Sequence, residues 1–177
     1  DTVAVMTRGE VLQIAAPELI YAEPATPYVA SFVGVANLVA CDVSAGLATT
    51  RLGRVPIIGE ARRRPEGHAL CLLRPEHFSI SEAADGPADA DGWEIIDRRF
   101  SGSEILLEVQ AADGERLWVE AGSRVRHLGL GDRVSVTLRE VETVAFGRRG
   151  SARDPSPSSG QPVLRAAVPE TTSRPPG

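Results

Sequence analysis

Apolar positions near the start of the chain follow the two-residue period of a β-strand. Apolar and β-branched residues alternate over residues 2–6 and again over residues 10–14, with Thr7-Arg8-Gly9 between the two runs. Alternation on both sides of a short Gly-containing turn is typical of a β-hairpin. We therefore predict two antiparallel strands at the start of the chain.

The pattern then becomes helical over two short segments that are bounded by prolines. Pro17 suits the first position of a helix, where its missing N–H costs nothing, and Pro24 stops that helix. Thr26 suits an N-cap before Pro27, and Gly34 suits the end of the second helix. The apolar face predicted for this pair of helices comprises Tyr21, Val29, Phe32 and Val33.

From residue 38 onward the strand period returns, in short runs separated by turn residues such as Asp113-Gly114 and Gly131-Asp132. The predicted strands are Leu38–Val43, Ala48–Leu52, Val55–Ile58, Ala69–Arg74, Phe78–Ser81, Trp93–Phe100, Glu104–Gln110, Arg116–Glu120 and Arg133–Arg139. Many short strands with regular turns predict a mainly β fold, either a small barrel or a sandwich. Residues 82–92 read as a loop. The Pro-, Ser- and Arg-rich residues 148–177 have few apolar side chains and are expected to be disordered.

Composition excludes several functions. The chain is 42% hydrophobic and 24% charged, which is globular, and its apolar runs are too short to cross a membrane. All 19 basic residues are Arg, so the Lys of a phosphate-binding P-loop and a Lys nucleophile are both missing. The net charge is −5, and because residues 148–177 are basic, the rest carries −8. Such an acidic body argues against nucleic-acid binding.

The two cysteines, Cys41 and Cys71, stand in apolar runs and are predicted to be reduced core thiols of a cytosolic protein. No CxxC or HxxxH spacing is present, so we predict no metal site. No motif for catalysis or nucleotide binding is found, and we expect no bound cofactor in this chain. Trp93 and Trp118 stand in strand runs, and core or subunit-interface packing is the default interpretation for both.

Short motifs at fixed spacings run through the first forty residues, from Met6, Gly9 and Gln13 to Phe32, Gly34 and Asn37. This run resembles the segment that follows the switch histidine in ATP-binding subunits of ABC importers. That family has the patterns M-x-x-G-x-x-x-Q, P-x-x-[IL]-Y-x-x-P and P-x-x-x-F-V-A-x-F-[IV]-G-x-x-N in this order. The matching residues here are Asp1, Met6, Gly9, Gln13, Pro17, Ile20, Tyr21, Pro24, Val29, Ala30, Phe32, Val33, Gly34 and Asn37. Leu73-Arg74-Pro75-Glu76 resembles the family's RPE motif. Residues 100–104 with residues 131–134 resemble the type 2 transport-associated OB (TOBE) module.

The resemblance implies three parts. Residues 1–37 would be the end of the ATPase domain with its connecting helices, residues 38–147 an OB-like regulatory TOBE barrel, and residues 148–177 a tail. Ala15-Ala16-Pro17 departs from the family's Gly-Thr-Pro and lacks a hydroxyl cap. The Walker motifs and the signature loop would precede Asp1, and His68, His77 and His127 do not match the switch histidine. We therefore expect a fragment that does not hydrolyse ATP alone, although the parent subunit would bind ATP and Mg.

The resemblance also implies partners and a location. The chain would form a homodimer through its β-domain, contact the membrane permease subunits, and lie on the cytoplasmic face of the inner membrane without entering it. Thr50-Arg51-Leu52-Gly53 is more similar to ferric-iron and polyamine importers than to sugar importers, and the solute stays open. The alternative function is a free-standing OB module that binds a small ligand or an oligonucleotide.

Two groups of residues are candidates for function. Arg74 and Glu76 could bind an oxyanion or a partner chain, or they could belong to a structural ion pair or to a turn fixed by Pro75. His77 and Gly102 are candidates to join that regulatory or ligand site. The connector residues are Tyr21, Pro24, Phe32, Gly34 and Asn37.

Overall fold

The chain folds into three antiparallel sheets and two short helices, as a computed structural model shows for residues 1–59, 65–83, 92–101, 104–122, 125 and 127–147. The strands are β1 (Val3–Thr7), β2 (Glu10–Ala15), β3 (Asn37–Ser44), β4 (Leu47–Thr50), β5 (Gly53–Pro56), β6 (Gly67–Leu73), β7 (Phe78–Glu82), β8 (Trp93–Ser101), β9 (Glu104–Ala111), β10 (Arg116–Ala121), β11 (Arg133–Leu138) and β12 (Ala145–Gly147). The helices are α1 (Pro17–Ala22) and α2 (Pro27–Phe32), and a 3-10 turn spans Pro75–His77.

The N-terminal hairpin, β1 with β2, forms a sheet of its own. Arg8 and Gly9 turn the chain with φ values of 47° and 83°, the positive φ that a two-residue hairpin turn requires. At the start of α2, Thr26 accepts a hydrogen bond from the Val29 N–H at 3.2 Å, which confirms the predicted N-cap. Ala16 offers α1 no side-chain cap, as the sequence indicated. Residues 17–36, with both helices, are called the connector below.

The first five-stranded sheet has the order β12-β6-β3-β4-β5. Its central pair, β3 with β6, runs in register from Asn37 opposite Leu73 to Val43 opposite Gly67. β12 was not predicted, because its three residues are too few to show a period. It completes the sheet by pairing with β6.

The second five-stranded sheet has the order β10-β9-β8-β11-β7 and curls until β10 lies beside β7 and the 3-10 turn. A bulge between Ile95 and Asp97 in β8 shifts its register against β9. The two large sheets share one hydrophobic core, to which Cys71, Phe78 and Trp93 contribute. Strands β3 to β12 (residues 37–147) are called the β-domain below. The predicted mainly β fold, with a hairpin and two helices before it, is confirmed.

Three predictions fall on residues outside the described ranges. Gly102, the tail from residue 148 to 177, and residues 84–91 of the predicted loop belong to this group. Within the described part of the chain, no helix has the length and apolar character needed to cross a membrane.

Candidate functional site

Arg74 follows β6 and points its side chain into the connector. It is only 2% exposed. Its Nη1 donates to the carbonyls of Ala30 at 2.8 Å and Val35 at 3.1 Å, with a longer contact of 3.4 Å to Gly34. Its Nη2 donates to the carbonyl of Tyr21 at 3.1 Å. One guanidinium therefore binds the C-terminal regions of both connector helices.

This arrangement follows from what helix ends lack. The last carbonyls of a helix have no intrahelical donor, and the helix C-terminus carries partial negative charge. A buried guanidinium supplies both the donors and the positive charge. Burial lowers the pKa of Arg74, but a guanidinium stays protonated in proteins. Its Nε is buried without a hydrogen-bond partner, and its Cζ lies 4.2 Å from the centre of the Tyr21 ring.

Tyr21 makes a second link from the connector to the β-domain. Its hydroxyl donates to Glu76 Oε1 at 2.6 Å, at the protein surface. Burial, and next the hydrogen bond to the Glu76 carboxylate, raise the pKa of the Tyr21 phenol. The phenol therefore keeps its proton and remains the donor. The ring also lies close to Gly34, because a Cβ added at Gly34 would lie 3.2 Å from Tyr21 Cε2.

Of the roles predicted for Arg74 and Glu76, the turn fixed by Pro75 is present as the 3-10 turn Pro75–His77, and contact with a partner chain stays a prediction. Arg74 is too buried to offer donors to an oxyanion, and Glu76 accepts from Tyr21 instead of pairing with Arg74. The ion-pair interpretation is therefore wrong, because the carbonyls of the connector occupy the guanidinium. His77 does join the group: its Nδ1 accepts from the Arg74 backbone N–H at 3.2 Å. We call Tyr21, Arg74, Glu76 and His77 the Arg74 cluster.

The N-terminal hairpin also holds the connector, through Gln13 of β2. Gln13 of β2 donates through Nε2 to the Glu23 carbonyl at 3.0 Å and accepts at Oε1 from the Ala25 N–H at 2.8 Å. These two bonds bracket Pro24, which is buried. Gln13 was recognised only as a position of the family pattern, because a lone Gln in a strand gives no sign of this role.

Phe32 departs from its predicted place on the apolar face of the helices. It is 59% exposed and stacks on Tyr28, with ring centroids 6.2 Å apart. Residues four apart share one side of a helix, and in α2 this aromatic side faces away from buried Val29. Val29 and Val33 pack inward as predicted.

Asn37, the first residue of β3, joins the two large sheets. Its Nδ2 donates to the Trp118 carbonyl at 2.8 Å, and its Oδ1 accepts from the Trp118 N–H at 2.7 Å. Trp118 lies in β10, the edge strand of the second sheet. The carboxamide thus occupies the place of a neighbouring strand. The indole of Trp118 is covered by Arg99, whose Cζ lies 4.1 Å from the ring, so Trp118 is a packing residue.

The cysteines lie on neighbouring strands β3 and β6, buried and without a disulfide. Burial raises the pKa of both Cys41 and Cys71, so both are protonated and poorly reactive thiols. In the described ranges no group of three or more His, Cys, Asp or Glu side chains could hold a metal ion.

The N-terminal hairpin is apolar on both faces. Val5 and Leu12 pack inward against Ile20 and Val29. On the outer face, Met6 pairs with Val11 and Ala4 pairs with Ile14 across the two strands. Met6, Val11 and Ile14 are 53%, 51% and 62% exposed. A two-stranded hairpin alone is only marginally stable. An exposed apolar face on such a hairpin is typical of a surface that packs against another unit.

Comparisons with known proteins show what this chain is similar to. Residues 71–146 match the family model of the TOBE domain. The chain is 33% identical over 143 residues to the Fe(3+) ions import ATP-binding protein FbpC 3 of Rhodococcus jostii, covering 77% of this chain and 38% of that protein. It is 32% identical over 140 residues to the Fe(3+) ions import ATP-binding protein FbpC of Pseudomonas fluorescens, with 77% and 38% covered.

The chain thus spans well under half the length of these curated relatives. Among solved structures, the cytoplasmic molybdate-binding protein ModG matches 63% of this chain and 93% of its own, with a TM-score of 0.41 and 8% identity. That similarity is too low to support an argument about function or fold.

Proposed function

We propose that this chain is the C-terminal regulatory and dimerisation part of the ATP-binding subunit of an ABC-type importer. Its TOBE domain and its similarity to such subunits support the proposal. In this role the β-domain biases the opening and closing of paired ATP-binding domains and so couples ATP hydrolysis to solute uptake. Such coupling is a free energy shared between separate sites. Hydrolysis itself belongs to the ATP-binding domain, and this chain alone is expected to have none.

The outer face of the N-terminal hairpin carries the proposal. Its exposed residues Met6, Val11 and Ile14 form an apolar patch with no charged side chain among them. We infer that the ATP-binding domain of the subunit covers this face. The hairpin would then lie between that domain on one side and the connector on the other, so that a displacement of either is transmitted through it.

A chimera tests this function. The aligned C-terminal region of the Rhodococcus jostii relative is replaced by this chain, and ATP hydrolysis and iron uptake are measured. We expect both activities to be retained, and Ile14→Asp to reduce them at least tenfold because it places a charge in an apolar contact. Leu130→Asp is the matched control, since Leu130 is equally exposed but lies in the β-domain.

Two results would reject the function. One is a chimera that folds and binds ATP but whose rate of iron uptake is the same with or without the exchanged region. The other is binding of single-stranded nucleic acid by the chain alone, weakening as salt is raised, which would favour a free-standing OB module.

Partners and location follow from the same proposal. We propose that two copies pair through their β-domains, that the subunit contacts a membrane permease, and that it resides at the cytoplasmic face of the membrane. Phe100, which is 74% exposed in β8, is the proposed contact between copies. Sedimentation velocity should show a dimer that Phe100→Asp dissociates and Leu130→Asp does not. An unchanged dimer in the Phe100 variant would exclude this contact.

Ferric iron is the proposed solute, because the similar proteins reported above are named for Fe(3+) import. Uptake of radioactive ferric iron by cells carrying the chimera tests this, with excess polyamine or sugar as competitor. Competition by a polyamine or sugar would point to that solute instead.

A further inference from the structure

The Arg74 cluster holds the connector to the β-domain by two tethers of different strength. The first is the Arg74 guanidinium, whose hydrogen bonds to the carbonyls of Tyr21, Ala30 and Val35 are buried or partly buried. The second is the bond from the Tyr21 hydroxyl to Glu76, which lies at the surface. A buried charged donor that leaves its acceptors becomes an unpaired charge in the protein interior, which is costly. The partners of an exposed hydrogen bond can instead bond to water.

The two tethers meet in one side chain. The Tyr21 ring lies over the guanidinium at 4.2 Å, its carbonyl accepts from Arg74 Nη2, and its hydroxyl reaches Glu76. If the hydroxyl bond opens, the ring is free to move off the guanidinium, and water gains access to it. Opening of the weak tether therefore precedes opening of the strong one.

We propose that the Arg74 cluster is a releasable joint, in which Arg74 and Tyr21 are positioning residues that make the connector and the β-domain move as one body. The inference deepens the proposed function and rests on it for what the connector leads to. The β-domain would control the ATP-binding domain through this joint: when the joint is closed, rotation of the β-domain turns the connector and the hairpin. When the joint is open, the two parts move independently and coupling is lost.

The residues of the cluster also explain why Arg is required at position 74. The carbonyls of Tyr21 and Ala30 belong to different helices, and Arg74 reaches them through two different nitrogens. The guanidinium presents five donors in a fixed fork, whereas an ammonium presents three donors on one atom. A Lys at this position keeps the charge and the long side chain but cannot hold both helices in the same geometry.

Hydrogen exchange of backbone amides in the full chain tests the joint without any ATP-binding domain. We expect Arg74→Lys to accelerate exchange at least tenfold for protected amides of residues 17–35, with β3, β6 and β9 unchanged. Tyr21→Phe removes only the hydroxyl and should accelerate exchange a few fold in α1. Arg51→Lys is the matched control, because Arg51 also bridges distant elements by binding Asp113 and Glu115. This variant should leave the exchange rates of the connector amides unchanged.

The outcomes separate the joint from the proposed function. Faster exchange confined to the connector supports the joint even if the chimera described above is inactive. Acceleration spread evenly over the β-domain would make Arg74 a general stability residue and overturn the proposal. No acceleration with either Arg74→Lys or Tyr21→Phe would overturn it as well, while the activity of the chimera would stand.

Discussion

The carboxamide of Asn37 should be among the most important polar side chains for the stability of the β-domain. Replacing it by Ala removes two hydrogen bonds of 2.7 and 2.8 Å with the backbone of Trp118. Both groups of Trp118 are buried at the edge of β10, where no strand among the described residues bonds to that side. Asn37→Ala therefore leaves a buried N–H and a buried C=O unpaired.

The expected loss follows from the cost of unpaired buried groups. Each such group costs about 1–3 kcal/mol, so the two together give about 2–5 kcal/mol after partial relaxation. Domains of this size are stable by only about 5–15 kcal/mol, so the loss is a large fraction of the total. In a domain of about 150 residues, each kcal/mol lowers Tm by about 2–4 °C, which predicts a fall of about 4–20 °C.

Urea unfolding followed by far-ultraviolet circular dichroism measures the loss, since the midpoint should fall while the slope m stays constant. Thr50→Ala is the control. Thr50 also makes two backbone hydrogen bonds, one exposed bond to Gly53 and one partly buried bond with Leu52, and about 1 kcal/mol or less is expected there. If Asn37→Ala costs no more than Thr50→Ala, the view that the side chain replaces a strand is refuted.

Three further changes have defined expected outcomes. Gly34→Ala should destabilise by about 1–2 kcal/mol in thermal unfolding, because the added Cβ would lie 3.2 Å from Tyr21 Cε2, and Tyr21 is held by its contacts with Arg74 and Glu76. The free energy of unfolding should fall as pH drops below about 6.5, the ordinary pKa of His. Burial lowers the pKa of His77 in the folded state, so the unfolded state binds the proton first. Cys41 and Cys71 should react with a disulfide reagent only at the rate of unfolding, measured by absorbance.

Each of these outcomes has a clear opposite. Gly34→Ala should cost less in a Tyr21→Leu background, and an equal cost there would locate the clash elsewhere. His77→Gln should flatten the pH dependence between pH 7 and 5, since Gln cannot gain a proton, and an unchanged profile would assign the dependence to other groups. Labelling of both thiols in the native protein within seconds would contradict their burial.

Local chemistry explains which parts of the fold were predictable from the sequence. Proline at the starts of α1 and α2, the Thr26 cap and the alternation in β8 and β9 act over a few residues, so their effects are visible in the sequence. β12 was missed because three residues show no period and only pairing with β6 makes them a strand.

The candidate site was predictable in part, through the resemblance more than through physical pattern. Tyr21, Arg74 and Glu76 were each named, but their sequence separation of 53 to 55 residues conceals that they meet. Arg74 beside Glu76 in a motif suggests an ion pair, while the structure gives Arg74 to the carbonyls of the connector. Which acceptor a buried Arg finds depends on tertiary packing, and no local pattern records that.

The hydrogen bonds of Asn37 at the edge of β10 bear on how much of the chain must be transferred together when this module is moved by recombination. The segment recognised as TOBE, residues 71–146, begins inside β6 and omits β3, which pairs with β6 and carries Asn37. Cut out at those limits, it would present two unpaired strand edges, and unpaired edges invite pairing between molecules. The segment that is recognisable by sequence is therefore smaller than the segment that folds. A recombination event that moves this module successfully must carry residues 37–70 with it.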